Sequence, residues 1–344
     1  MSLLTVAASL LVFGVLVVAH ELGHFLAAKQ TGIGVREFAI GFGPRLASWT
    51  RKGTTYSLRP IPLGGFTLMV GTEPDEPVTP DSFRAKSVGQ RSLSIAAGPL
   101  MNFLLTAVLF AVLFAVYGLP AGADLGSTTI GQVLPGYPAD KAGLEPGDVL
   151  VSIDGKPLET WSDFDQAVAG SLGKTVTIVF RRGVETRTVT VTPVVDPQAP
   201  GEGIIGVTPP VVYRRVGLPR ALIEGFAETW RVLEAWLATL LGFILGRQPL
   251  DVAGPVMTVR FIGSTAKAGL ASLMYVAGFL SLNIGLFNLL PFPALDGGRL
   301  TFLAYEALTG RQPDPHKENL VHFIGFAALI LLMILVTYRD LLRL

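Results

Sequence analysis

Four stretches of the chain stay apolar long enough to cross a bilayer, which takes about 20 residues of helix. Residues 3–19 (LLTVAASLLVFGVLVVA) carry no charge and run on into HELGHFLAA. Residues 92–118 are uncharged throughout, 269–290 are uncharged but contain Asn283 and Asn288, and 320–337 are nearly uncharged. The first stretch has no basic leader, and His-Glu stands where a small-residue cleavage site belongs. It is therefore read as a retained span, not as a signal peptide. Between the first two spans the pattern changes. In 50–70 (TRKGTTYSLRPIPLGGFTLMV) Thr55, Ser57 and Arg59 alternate with Tyr56, Leu58 and Pro60, and Gly64-Gly65 interrupts. That predicts a β-hairpin or strand pair beside the membrane. An acidic, Pro-rich loop follows at 71–82.

Residues 125–210 read as a separate β-rich unit. TTIGQVL, DVLVSIDG, TVTIVFRRG and TRTVTVTPV are strand-like, and PADKAG and SDFDQAVAG are helix-like. Residues 217–246 predict one long helix. Its first half is charged on one face and its apolar second half is too short to span, so it is expected at the membrane interface. The expected organisation is thus a helical membrane protein of four spans with an inserted domain. Residues 1–118 hold the first two spans, 125–210 the insert, 217–268 the interfacial helix and a connection, and 269–344 the last two spans.

Lys29, Arg36, Arg45, Arg51, Lys52, Arg59, Arg84, Lys86 and Arg91 crowd the first loop, whereas the chain before residue 29 has no Lys or Arg. The positive-inside rule puts that loop in the cytoplasm and both termini outside. The 118–268 segment is then extracytoplasmic, since segments of that length translocate largely regardless of charge.

Composition agrees with this layout. Half of the 344 residues are apolar, 15% are charged, and mean hydropathy is +0.53. Ordinary soluble domains carry roughly 25% charged residues. The balance of 27 basic and 26 acidic residues offers no nucleic-acid footprint. There is no cysteine, which excludes disulfides, thiolate nucleophiles and Cys-ligated metals.

The chemistry-bearing motif is His20-Glu21-Leu22-Gly23-His24, at the inner end of the first span. On a helix, positions i and i+4 share a face, so both imidazoles reach one zinc ion. Glu21 is rotated about 100° from His20 and can reach a metal-held water without being a ligand. His and Glu inside a membrane helix are costly and default to function. A catalytic zinc takes three protein ligands. Asp296, just past a membrane helix broken by Pro291 and Pro293, is the candidate third. A turn residue in Leu-Asp-Gly-Gly is the bland reading of the same Asp. His316 and His322 are expected to be loop and interface residues, with His316 next in line as a ligand.

HELGH, AAGPLMN (96–102) and NLLPFPALDGG (288–298), in that order, resemble the bacterial site-2 proteases, intramembrane zinc metalloproteases of the RseP type. HFLAAKQTGIGVREFAIGFGP (24–44) and DVAGPVMT (251–258) are similar to further family segments. The resemblance implies His20, His24 and Asp296 as zinc ligands, Glu21 as general base, and a membrane-spanning helix as substrate. An anti-sigma factor and leftover signal peptides both fit that substrate class. It also implies that the strand region with Gly64 and Gly65 presents an edge to the substrate. Thr67-Leu68-Met69 departs from the Lys the family often has there. Asn288 matches a family Asn that binds substrate backbone; the alternative is an interhelical hydrogen bond. GYPADKAGLEPGDVLVSIDGKPL (136–158) resembles a bacterial PDZ domain, and GEGIIGV (201–207), with Gly203 and Gly206, resembles its carboxylate-binding loop. The insert then either binds a peptide or protein ligand or only filters substrates by size. The expectation is a multi-pass inner-membrane protease working near the cytoplasmic side. The competing expectation is a proteolytically silent membrane scaffold that uses its PDZ domain.

Overall fold

The computed structural model describes residues 2–342 apart from 74, 135, 198 and 248–253. The start of the DVAGPVMT segment, 251–253, lies outside the described residues. The chain divides into two units: residues 1–116 with 217–344, and residues 117–216.

Helix α1 (Leu3–Thr31) opens on Ser2, whose hydroxyl accepts the Thr5 N–H, and closes on Gly32 at φ +73°. Those are an N-cap and a left-handed C-terminal glycine. Strands β1 (Val35–Phe42), β2 (Ala47–Arg51), β3 (Thr54–Leu58) and β4 (Ile61–Met69) follow. They form one sheet in the order β2-β3-β1-β4, with β1 parallel to β3 and antiparallel to β4. The strands expected over 50–70 are present, and β2–β3 is the hairpin. β3 and β4 do not pair with each other, because β1 lies between them. β1 escapes a reading by hydrophobic alternation because an acid occupies one of its inward positions. Glu37 is buried and takes hydrogen bonds from Arg45 (2.6 Å), Arg59 (2.7 Å) and Ser57 (2.5 Å). The Arg45 guanidinium, helped by Ser57 and Arg59 against the cost of burial, holds the Glu37 carboxyl at about 2. Helix α2 (Val88–Tyr117) has Pro99 in its interior.

The second unit holds β5 (Leu119–Ala123), β6 (Gln132–Val133), α3 (Pro138–Lys141), β7 (Val149–Ile153), β8 (Lys156–Pro157) and α4 (Trp161–Ala169). It continues through β9 (Val176–Arg182), β10 (Glu185–Val191), β11 (Val194–Val195), β12 (Gly203–Ile204), β13 (Val207–Thr208) and β14 (Val211–Arg214). Its main sheet runs β10-β9-β7-β8. Ile130, Leu150, Ile178, Phe180 and Ile205 fill the core under that sheet. Thr160 and Asp163 close a capping box on α4.

The chain then adds α5 (Leu218–Ile244), α6 (Pro255–Ala268), α7 (Leu270–Leu289), α8 (Asp296–Thr309) and α9 (Pro315–Leu342). Among the described residues, α1, α2, α7 and α9 are long and apolar enough to cross a membrane. They coincide with the four expected spans. α5 is not among them; Arg231 pairs with Glu228 on its surface at 2.7 Å. The short helices α6 and α8 carry no apolar run that distinguishes them from connections. α6 packs Ile262, fully buried, into the cluster of Ala8, Val12, Leu16, Val276 and Ala277. Its first turn is capped from α9: Asp340, buried, accepts the Gly254 N–H (3.1 Å) and the Met257 N–H (2.9 Å).

Candidate metal centre

The helical period of α1 puts His20 and His24 on one face, with their Nε2 atoms 3.2 Å apart. Asp296 reaches the same point from the first turn of α8. Its Oδ2 lies 3.1 Å from His20 Nε2 and 3.3 Å from His24 Nε2. A carboxylate is favoured at that helix end by the orphan N–H groups and the helix dipole. Among the described residues this is the group of His and acidic side chains gathered to hold a metal.

The loop between α7 and α8 explains the reach of Asp296. Pro291 and Pro293 end the membrane helix. Gly297 and Gly298 then let α8 start against it: a Cβ would stand 2.1 Å from Leu290 O at Gly297 and 2.4 Å from Phe292 O at Gly298. Close approach also governs the other wall. A Cβ at Gly98 of α2 would sit 2.2 Å from His24 Nε2, and one at Gly23 2.2 Å from Ala97 O.

The donor set fits zinc. His24 Nδ1 is 2.9 Å from the Ser94 carbonyl oxygen, which can only accept, so the proton sits on Nδ1 and Nε2 presents a lone pair. That lone pair faces a carboxylate oxygen and a second imidazole, an arrangement that calls for a cation between them. A tetrahedral zinc with bonds of about 2.0–2.1 Å sets its ligands about 3.3 Å apart, close to the spacings of the three atoms.

Glu21 points beside the cluster. Thr67 Oγ1, on β4, lies 2.9 Å from Glu21 Oε2 and 3.1 Å from the Glu21 carbonyl oxygen. Gly65 lets β4 come this near, since a Cβ there would be 2.7 Å from Ala39 O and 3.2 Å from Glu21 Cγ. Gly64 makes room for the Phe42 ring, 2.1 Å from its ideal Cβ. β4 is an edge strand of its sheet.

The remaining candidates lie elsewhere. Asn288 Nδ2 donates to Ile284 O of its own helix at 2.9 Å. His316 is exposed, 3.8 Å from Asp75. His322 Nδ1 accepts the Ala294 N–H at 2.8 Å and is not part of the cluster. Gly203 and Gly206 belong to the inserted unit and are buried. Their ideal Cβ atoms would be 2.7 Å from Val168 O and 2.2 Å from Tyr137 Cβ. The buried Asn102 bridges helices through its backbone, whose oxygen accepts from Ser281 at 2.9 Å.

Residues 8–332 match peptidase family M50. The chain belongs to that family. Over 96% of both chains, this M50 protein is 34% identical to the zinc metalloprotease RasP of Geobacillus kaustophilus. It is 35% identical to a putative zinc metalloprotease of Clostridium acetobutylicum, over 99% of this chain and 98% of that one. It is 33% identical to the regulator of sigma-W protease RasP of Bacillus subtilis, over 99% of each. This M50 chain is a zinc metalloprotease of the site-2 type, and the scaffold reading falls. The inserted unit is similar to the PDZ domain of an SdrC-like protein from Listeria monocytogenes. That likeness is 22% identical, covers 27% of this chain and 94% of that one, and has a TM-score of 0.22.

Three contributors to the M50 site were given no role by the sequence motifs. Thr67 stands out in sequence only as a departure from the expected Lys. The Ser94 carbonyl has no side-chain signature. Gly98 falls inside AAGPLMN, and a helical glycine before a proline is the signal that marks it.

Proposed function

We propose that this protease hydrolyses peptide bonds of membrane-spanning segments, within the bilayer and near its cytoplasmic face. The observation that carries the reading is that the cluster sits well within α1, a helix long and apolar enough to cross a membrane. His20 lies 11 residues before the end of α1 at Thr31, about 16 Å along the helix. An enzyme acting on soluble chains has no reason to keep its site at that depth.

In this reading His20, His24 and Asp296 hold the zinc ion. When bound, the metal supplies Lewis acidity, which polarises a carbonyl and makes water a nucleophile at neutral pH. Glu21 takes the proton of the attacking water on its carboxylate and returns it to the leaving amine. Thr67 keeps that carboxylate turned toward the reaction by donating to Oε2. His24 is oriented through Nδ1 by the Ser94 carbonyl. A helical substrate has its peptide groups internally bonded, so it must unwind before it is cut. The free edge of β4 at Gly64 and Gly65 offers it strand pairing, next to Glu21. Asn288, in the last turn of α7, serves either the unwound strand or its own helix end.

In this reading the inserted unit is extracytoplasmic and the first loop cytoplasmic in a multi-pass inner-membrane chain; the unit spans 117–216, a little wider than the expected 125–210. The insert serves as a PDZ domain. It takes a carboxyl terminus at the loop with Gly203 and Gly206, or screens substrates by bulk. Substrates are anti-sigma factors or signal-peptide remnants, in keeping with the relative named for sigma-W.

Comparing membrane proteomes with wild type and Glu21→Gln tests the reading. Transmembrane stubs accumulating only in the variant support it. Accumulation of soluble proteins without such stubs would overturn it.

A further inference from the structure

Asp296 owes its reach to a loop of six residues, and one side chain outside that loop holds it. Pro291 and Pro293 have no N–H to give. The Phe292 N–H bonds to Leu290 O at 2.7 Å and the Leu295 N–H to Phe292 O at 3.2 Å, both within the loop. The Ala294 N–H instead leaves it and donates to His322 Nδ1 on α9, at 2.8 Å. Ala294 stands at φ +78°, a left-handed conformation that a residue with a Cβ adopts only when its surroundings impose it.

The same face of α9 clamps the loop one turn further on. Gly325 follows His322 by three residues and so shares its face. A Cβ there would lie 2.4 Å from Pro293 Cβ and 2.6 Å from Pro293 O, so the α9 backbone rests on the loop. The His322 ring is held in turn by Phe302 of α8, with ring centroids 5.6 Å apart. A backbone N–H can only donate, so Nδ1 is the accepting nitrogen of this ring. No motif assigns this histidine, and it touches none of the three ligand atoms.

We propose that His322 is a positioning residue for the metal centre: by accepting the Ala294 N–H it fixes the loop turn from which Asp296 meets His20 and His24. The proposal rests on the reading of Asp296 as third ligand. Ala294 is two residues from Asp296, so its backbone angles help set where the carboxylate lies. Partners that orient metal ligands are typically worth about 10- to 100-fold in metal affinity.

The test is zinc affinity of the purified full chain in detergent, measured by competition with a chromogenic chelator. His322→Phe keeps a ring and removes the acceptor. It should weaken zinc binding by about 10-fold or more. His322→Asn, whose Oδ1 sits where Nδ1 sat, should restore most of that loss. In an Asp296→Ala background, His322→Phe should add less than about twofold, because its effect runs through Asp296. The cobalt-substituted protein gives a second readout, since a displaced carboxylate alters its visible absorption. Wild-type affinity in His322→Phe overturns the proposal. So does an Asn variant as weak as the Phe variant, or an equal loss without Asp296. Undiminished zinc in Asp296→Ala itself would instead overturn the third-ligand reading, which keeps the two failures distinct.

Discussion

The Thr67 hydroxyl lies 2.9 Å from Glu21 Oε2 and 3.1 Å from the Glu21 backbone oxygen, so one proton chooses between two acceptors of the same residue. The ionised carboxylate is the stronger acceptor and wins when Glu21 is charged. Thr67→Val keeps the shape and removes the donor. A hydrogen bond to a charged group is worth about 1.5–3 kcal/mol, so kcat should fall about 10-fold or more while KM barely moves. Thr67→Ser should recover most of the rate. Steady-state cleavage of a single-span substrate in nanodiscs separates the two constants; a rise in KM alone would assign Thr67 to substrate binding.

Glu21→Gln should keep zinc and lose cleavage. The amide cannot take up a proton, while His20, His24 and Asp296 are untouched. General acid–base work contributes roughly 100- to 10,000-fold. Metal analysis paired with the cleavage assay checks both halves, and near-normal turnover would remove Glu21 from the base role.

Gly98→Ala should disturb the centre from the α2 side. Its Cβ would meet His24 Nε2 at 2.2 Å, so either the ring or the helix must shift. Overpacking of this kind costs about 1–3 kcal/mol. Zinc content and thermal stability should both drop, whereas Gly89→Ala, whose ideal Cβ meets nothing within 4 Å beyond its chain neighbours and its own helix backbone, should leave zinc content unchanged and should not lower stability.

The sheet should show a specific acid sensitivity. Arg45 chiefly, with Ser57 and Arg59, lowers the Glu37 carboxyl from 4.5 to about 2 in the folded chain. Its folded pKa lies below its unfolded one, so the stabilisation is complete above about 4.5 and is lost as pH falls from there to about 2. Thermal denaturation in detergent from pH 6 to pH 2.5 should show this slope. Glu37→Gln should flatten it and lower stability at pH 6; an unchanged slope would place the acid sensitivity elsewhere.

Replacing the inserted unit by a flexible linker should leave the chemistry intact, since the three proposed ligands and Glu21 all lie outside residues 117–216. Long loops close at modest extra entropy. Pre-trimmed substrates should still be cut and untrimmed ones should begin to be. Loss of cleavage from a variant that inserts and binds zinc would make the insert part of the catalytic apparatus.

The spans and the His20–His24 pairing were legible because both follow from helical geometry: long apolar runs for α1, α2, α7 and α9, and an i, i+4 spacing for the two histidines. Asp296 was legible as a break in a membrane helix, since Pro291 and Pro293 have no business there without a site. β1 was not, because its inward Glu37 is satisfied by Arg45, which lies several residues further along the chain. α6 hid for a related reason: the carboxylate that caps it, Asp340, is 86 residues away from Gly254. Thr67 meets Glu21, and His322 meets Ala294, through hydrogen bonds across long sequence separations, and no local pattern encodes such pairs.

The two ends of the metal centre enter the world at different times. His24 and Asp296 are 272 residues apart (296 − 24), and the cap on α6 waits for Asp340. At about 5–20 residues per second, a ribosome needs roughly 14–54 s to travel from one ligand to the other. During that interval the histidine pair on α1 is without its carboxylate. With the proposed ligand set, the nascent chain cannot complete its zinc site until its own synthesis is nearly finished.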